Sequence, residues 1–385
     1  MQDTGREILS AKSGFLVLRL ERVPCIAANV LKQEILARGG DCAVHRDCVT
    51  LDAEHSGALL MGTRAQVGDL VEKLQAQDFG LPDVADEISA LLSNIDRRPS
   101  PVALRGHTLP IGERTLVMGI VNVTPDSFSG DGLGDDAAAA VEQARRMVEE
   151  GADIVDVGGQ STRPGSEPVS PEEEIRRVIP VIERLSRDAR LPAAISIDTN
   201  RAEVARAALE AGAHIVNDIS GLRDDPAIAQ AVAAHGAGLV VMHIQGTPQT
   251  MQKNPHYDDL LGEVIGYLRR SMRVAEMAGI PRERVWVDPG IGFGKSMEHN
   301  LELLNRLDEL RSLGCAILVG TSRKSFIGRL LAPLYGGDAP APAERVTGSG
   351  ATVALSIARG ASVVRVHDVR HTVEVARIAD AIVRS

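Results

Sequence analysis

Eight times between residues 115 and 383 the sequence repeats one plan: a short apolar, β-branched run, a polar or glycine-rich loop, then a helical stretch. Strands are expected at 115–123, 153–158, 194–198, 214–219, 238–243, 285–288, 316–320 and 362–367. Helices are expected at 136–150, 171–187, 201–210, 226–234, 260–278, 298–313, 343–358 and 371–383. Runs that are apolar on both faces belong to parallel strands covered on both sides. Units of roughly thirty residues alternating strand and helix predict an α/β protein built as a (β/α)8 TIM barrel. An open doubly wound sheet is the competing arrangement, but it stops more often at about five to seven strands.

The first hundred residues follow another plan. Strand-like 15–20, a helix at 27–37 closed by Gly39 and Gly40, strand-like 42–51, a third strand at Leu59 and Leu60, and helices at 67–76 and 84–92 make a small α+β module. The stretch DRRPSP at 96–101 is charged and proline-punctuated, as a boundary is. Two domains are therefore expected, 1–100 as the small α+β N-terminal domain and 101–385 as the barrel, the ordinary division for 385 residues. The role of the first is not legible, and His45 and His55, without partners at ligand spacing, are read as fillers.

Charge and composition narrow the partners. A formal net charge of -10 argues against nucleic acid and against an anionic membrane surface, while leaving room for a local basic site for a small anion. No apolar run approaches a membrane span, and residues 1–13 lack the pattern of a signal peptide, so a soluble, cytoplasmic protein is the expectation. Cys25, Cys42, Cys48 and Cys315 form no Cys-x-x-Cys pair and read as reduced structural thiols.

Read only at the carboxyl ends of the expected strands, the chain offers Asn122; Gln160, Ser161, Thr162 and Arg163; Asp198; Asn217 and Asp218; Met242 and His243; Asp288; Ser322, Arg323 and Lys324; and Arg365, His367 and Asp368. In a barrel these ends meet at one mouth, the place where such folds build sites. Charge divides them. Asp198, Asn217 and Asp288 suit a flat heterocycle with adjacent N–H donors, with Lys324 meeting a ring carbonyl. Arg323, Lys324, Arg365 and His367, next to helix amino termini, suit phosphate. The glycines of DPGIGFG (288–294) allow close backbone approach, and the loops 124–132 and 161–165 are long enough to close as lids. With 2% aromatics, Phe128, Phe293 and Phe326 are candidates for ligand contact. No Ser-His-Asp or Cys-His order suggests a covalent nucleophile.

Eight segments then carry a resemblance: MGIVNVTPDSFS (118–129), DVGGQSTRPGS (156–166), SIDT (196–199), NDISG (217–221), VMHIQGTPQTMQ (241–252), DPGIGFGK (288–295), TSRKSFIG (321–328) and VRVHDV (364–369). In order and spacing they resemble the dihydropteroate synthase family of pterin-binding enzymes, over about residues 103–385; the first hundred residues lie outside it. The resemblance implies condensation of 6-hydroxymethyl-7,8-dihydropterin diphosphate with 4-aminobenzoate, giving 7,8-dihydropteroate and pyrophosphate, by a Mg2+-assisted dissociative displacement. It implies that Asp198, Asn217, Asp288 and Lys324 bind the pterin, that Arg365 and His367 bind the diphosphate, and that Thr162, Arg163, Phe293 and Ser325 surround 4-aminobenzoate. Met242 joins this substrate-binding set. Asn122 matches the magnesium ligand, with Asp131 as the loop acid. Asn122, Thr162, Arg163, Lys324, Arg365 and His367 are thus the expected catalytic set, in a homodimer whose partners are these small molecules.

Two departures stand out. Gln160 occupies a place where many members have Glu, which removes a negative charge there, and the first loop reads SGDG (129–132), so Asp131 serves as the acid only with a one-residue shift. Two rival readings are a methyltetrahydrofolate-binding methyltransferase on the same barrel, which needs no pyrophosphate site, and a non-catalytic pterin-binding barrel, which predicts erosion of the loops or anion site.

Overall fold

The structure, a computed structural model, describes residue 9 and residues 12–123, 133–160 and 169–384. It divides into two compact units, Met1–Arg97 and Arg98–Ser385. In the first, strands β1 (Phe15–Pro24), β2 (Asp41–Val44) and β3 (His55–Thr63) form an antiparallel sheet in the order β1-β3-β2. Alternation puts Leu18, Leu20, Ala58, Leu60 and Cys42 on one face, where they pack with Leu31 and Ile35 of the helix Cys25–Leu36 and Leu70 and Leu74 of the helix Arg64–Leu74. Thr63 caps that second helix, accepting from the Gln66 amide while the Gln66 side chain returns to the Thr63 amide.

One expectation fails here. The stretch 42–51 is not a single strand: β2 stops at Val44 and Asp47–Thr50 makes one helical turn. The turn carries Cys48 into the core, with its Sγ 3.0 Å from that of Cys25, and ends on Leu51 in the left-handed region, φ 58°. A period of two cannot hold a side chain inward there while the chain reverses.

In the second unit, β6 (Leu116–Asn122), β7 (Ile154–Gly158), β8 (Ala194–Asp198), β9 (Ile215–Asp218), β10 (Gly238–Met242), β11 (Val285–Asp288), β12 (Ala316–Val319) and β13 (Val363–Val366) close into a barrel, every pairing parallel. This is the (β/α)8 fold that the repeat predicted. One set of alternate strand residues, including Val155, Val157, Ile195, Ile197 and Val287, packs outward against the helices. The other set points inward. At the amino-terminal end it is apolar: Leu116, Ile154, Ala194, Ile215, Trp286 and Val363 share a cluster with Val102, Leu104 and Leu109. Those last three belong to a hairpin, β4 (Val102–Leu104) and β5 (His107–Leu109), that closes the bottom of the barrel. Its three-residue strands are too short to show a period in sequence, and it was not expected.

Two further differences concern helices. The expected helix 298–313 is an α-helix only over Met297–Asn305; Arg306, at φ -113° and ψ 25°, breaks it, and Leu307–Leu313 continues as a 3-10 helix. A short helix, Ser325–Leu331, also precedes Val346–Ala358. It buries Phe326, which is a core residue.

Candidate active site

The inward positions turn polar one or two rungs above the apolar floor, because a period of two carries Ile154 to Asp156, Ala194 to Ser196 and Asp198, Ile215 to Asn217, Trp286 to Asp288 and Val363 to Arg365. These side chains interlock. Arg365 donates through Nε to Asp156 Oδ2 at 2.6 Å and through Nη2 to Asp198 Oδ2 at 2.7 Å. Asn217 Nδ2 donates to the same Asp156 oxygen at 3.1 Å. Asp156 is fully buried, and its Oδ1 has no hydrogen bond among the described residues. Burial pushes Asp198 up, against the pull of Arg365 and with a further upward push from Asp156. Burial works against the charge of Arg365 too, yet Asp156 and Asp198 together hold its pKa above the ordinary value.

Asp288 ends β11 and accepts from the Gly290 amide at 2.7 Å through Oδ1. Burial raises its pKa, and the nearby Lys324 opposes that rise. Lys324 is lowered to about 8 by burial, with Asp288 pulling the other way. Its Nζ donates to Ile291 O and lies 4.6 Å from the centre of the Phe293 ring. Both contacts depend on how tightly the glycine loop is wound. Gly290, at φ +68°, passes so close to the end of β10 that a Cβ would sit 1.9 Å from His243 O, and Gly294, at φ +65°, would place one 2.5 Å from Gln245 O. No other residue fits either position.

Behind this loop, Lys295 is almost wholly buried; its Nζ lies 2.8 Å from His243 Nδ1 and 3.0 Å from Phe293 O. Burial drives Lys295 well below its usual value, with Asp288 opposing. Burial and then Lys295 lower His243 to about 2, so the ring is neutral.

Asn122 ends β6 half-buried. A Cβ on Gly158 would lie in ordinary contact, 3.7 Å from Asn122 Oδ1 and 3.9 Å from Asp198 Oδ2, so both oxygens border the same side of the Gly158 backbone. His367 shares a contact with Ser322, Nδ1 to Oγ at 3.1 Å. Met242 is buried in a cluster with Ile219, Ile244 and Met251, and Phe293 packs against it. Ser325 is the exposed first residue of its helix. Asp131, Thr162, Arg163 and Phe128 lie outside the described residues, as do both expected lids, 124–132 and 161–165.

Two strand-end residues have other work. Arg323, read from charge alone as an anion ligand, also forms a two-pronged pair with Asp368 through Nε and Nη2, at 2.9 Å and 2.5 Å. Asp218 accepts from the Ser220 amide and hydroxyl, each at 2.7 Å, and from the Leu222 amide at 2.6 Å, so it shapes the loop after β9. Two residues were missed. Asp156 sits inside a strand rather than at its end, and the signal was its parity with Ile154 and Gly158. Lys295 closes the DPGIGFGK motif, but nothing in sequence marked it as buried.

The comparisons with known proteins agree with this geometry. Residues 118–367 match the family described as Pterin binding enzyme. Over 289 residues the chain is 49% identical to the dihydropteroate synthase of Synechocystis, covering 75% of this chain and 97% of that one. A probable bifunctional folylpolyglutamate synthase/dihydropteroate synthase of Halobacterium salinarum is 45% identical over 364 residues, 94% of this chain and 42% of the longer protein. The structure of Xanthomonas albilineans dihydropteroate synthase with 4-aminobenzoic acid superposes with a TM-score of 0.66 at 45% identity, covering 74% of this chain and 98% of that one.

Proposed function

The chain belongs to the pterin-binding enzyme family, among its dihydropteroate synthases, and is a transferase; on that premise we propose that its barrel mouth joins 6-hydroxymethyl-7,8-dihydropterin diphosphate to 4-aminobenzoate. The observation that carries this reading is the set at the mouth: half-buried Asp198 and buried Asn217 and Asp288 with Lys324, interlocked with Arg365, and His367 two residues further along the same strand end. A methyl-transferring relative would have no use for the second group. The non-catalytic barrel would have lost one of the two.

In this reading Asp288 and Asp198 accept the N–H edge of the pterin, Asn217 both donates and accepts, and Lys324 leaves Ile291 O to meet the ring carbonyl. Arg365 and His367 hold the diphosphate. The C–O bond to the diphosphate breaks first, the electron-rich dihydropterin spreads the positive charge on its exocyclic methylene, and the weakly basic amine then attacks that carbon and gives up a proton. The attack needs no strong base, and no acid–base dyad is assigned. Phe293 lines the side from which the amine arrives, with Thr162, Arg163 and Ser325 completing it.

Magnesium fits the residues present. Among the described residues no cluster of three or more His, Cys, Asp or Glu is arranged to hold a metal, but Mg2+ binds through few protein groups plus substrate phosphates, and Asn122 offers a neutral oxygen at the strand end beside Gly158 and Asp198. Asp131 is the second protein ligand in this proposal. Bound there, the ion would neutralise charge on the leaving diphosphate. The same reading carries a cytoplasmic homodimer, which light scattering on the purified chain checks for its oligomeric part. The test of function is direct: incubating the purified protein with both substrates and Mg2+ yields dihydropteroate, identified by chromatography, and EDTA abolishes the yield. A bound pterin with no product would leave only the non-catalytic barrel.

A further inference from the structure

The loop 288–295 is held by side chains at every carbonyl of its central stretch. Lys324 Nζ donates to Ile291 O, Gln252 Nε2 to Gly292 O at 2.8 Å, Lys295 Nζ to Phe293 O at 3.0 Å, and Tyr257 Oη to Gly294 O at 2.7 Å. The tethers differ in permanence. Lys324 is released when it turns to substrate, whereas Lys295 is buried behind the loop and remains on it.

We propose that Lys295 and His243 are positioning residues for the aromatic amine: together they fix the Phe293 backbone, and with it the ring that receives 4-aminobenzoate. The proposal rests on the functional reading above, which places Phe293 on the amine's side of the site. Gly292 and Gly294 flank Phe293 at φ +83° and +65°, so the chain itself resists rotation of the Phe293 peptides less than any other sequence would. Without a donor, Phe293 O would be a half-buried carbonyl left without its side-chain partner. Lys295 supplies that donor and ties it to His243 Nδ1, and His243 is in turn fixed. Its amide bonds Asp288 O at 3.0 Å, and its ring packs edge-on to Tyr267, centroids 4.9 Å apart. A lysine amine has at least two N–H groups in either protonation state, so both bonds hold whichever form is buried. The chain of contacts therefore runs from the end of β10 through His243 and Lys295 to the Phe293 carbonyl; it meets the pterin ligands only at the backbone carbonyl of Asp288, a bond to the His243 amide that side-chain substitutions keep, and Asp198 and Asn217 stand outside it.

The test separates the two substrates. Lys295→Met keeps the length and apolar stem of the side chain and removes the donor. Its KM for 4-aminobenzoate is expected to rise on the order of tenfold through lost orientation, while its KM for the dihydropterin diphosphate stays within about twofold. Unchanged values for both, or an equal rise in both, would overturn the proposal, because a merely structural lysine does not distinguish the substrates. Should Lys295→Met fail to accumulate as folded protein, the His243 pair decides. His243→Asn retains an acceptor near the place of Nδ1, and His243→Leu does not, so the leucine variant is expected to raise the 4-aminobenzoate KM several-fold more. Equal effects would overturn the assignment. If the wild-type protein makes no dihydropteroate, the functional reading falls and this proposal with it; if it turns over and these variants show no split, this proposal alone falls.

Discussion

Arg365 lies 2.7 Å from the carboxylate of Asp198, joining a residue read as a diphosphate ligand to one read as a pterin ligand. A second carboxylate, Asp156, holds the same guanidinium at 2.6 Å from the buried side. The cation is thus fixed by two carboxylates, and its charge is shared between them.

From this, Arg365→Ala is expected to weaken binding of the dihydropterin diphosphate by roughly 2–4 kcal/mol, the loss of a charge-assisted contact. It should weaken binding of 6-hydroxymethyl-7,8-dihydropterin, which lacks the diphosphate, far less. Calorimetric titration with each ligand checks it; wild-type affinity for the diphosphate ester would refute the assignment.

The pH profile follows from burial. Lys324 is lowered to about 8, and its contact with a ring carbonyl needs the charged form, so kcat/KM for the dihydropterin diphosphate should fall as pH rises through about 8. On the acid side, burial raises Asp288 and Asp198, so activity should fall at a pH above the ordinary carboxylate range as they take up protons. Lys324→Ala should lose most of the activity and, in what remains, the alkaline limb. A variant that keeps that limb would move the titration to another group.

Most of this architecture was legible because it rests on period and repetition. Eight apolar runs with polar ends give a barrel and its mouth, and Asn122, Asp198, Asn217, Asp288 and Arg365 were found by looking only at strand ends. What escaped was decided by tertiary contact. Asp156 is one pleat below the rim, where its neighbours Val155 and Val157 make the strand look wholly apolar. Arg323 pairs with Asp368, 45 residues away in sequence, a contact that no local spacing shows. The burial of Lys295 depends on the glycine loop folding over it, which no local pattern in the sequence shows. The hairpin β4–β5 and the turn at Asp47–Thr50 are too short for any period to show.

At the closed end of the barrel, stability should depend on pH. His214 accepts from the Ile195 amide at 3.1 Å and lies 5.3 Å from the His107 ring; burial, then His107, lowers its pKa from 6.5 to about 4. The unfolded chain therefore takes up a proton near pH 6.5 that the folded one resists. The stability carried by the neutral ring is present above that pH and is lost as pH falls toward 4, on the order of 3 kcal/mol for such a shift. Denaturant midpoints between pH 7 and 4 measure it. His214→Gln, which keeps an acceptor and cannot titrate, should flatten the slope; an unchanged slope would assign it elsewhere.

The separate cores of the two units predict that residues 98–385 suffice for turnover. The Synechocystis relative matches over 289 residues, close to the length of that unit. Removing residues 1–97 should leave kcat/KM for both substrates within about threefold. A loss of activity from a folded, soluble barrel would give the first unit an obligatory part.

Stoichiometry at the mouth of the barrel tests the assigned reaction most directly. With Mg2+ and the dihydropterin diphosphate, the purified protein should release one pyrophosphate for each dihydropteroate formed, and only when 4-aminobenzoate is present. Pyrophosphate released without dihydropteroate, or pterin bound with neither product formed, would contradict it.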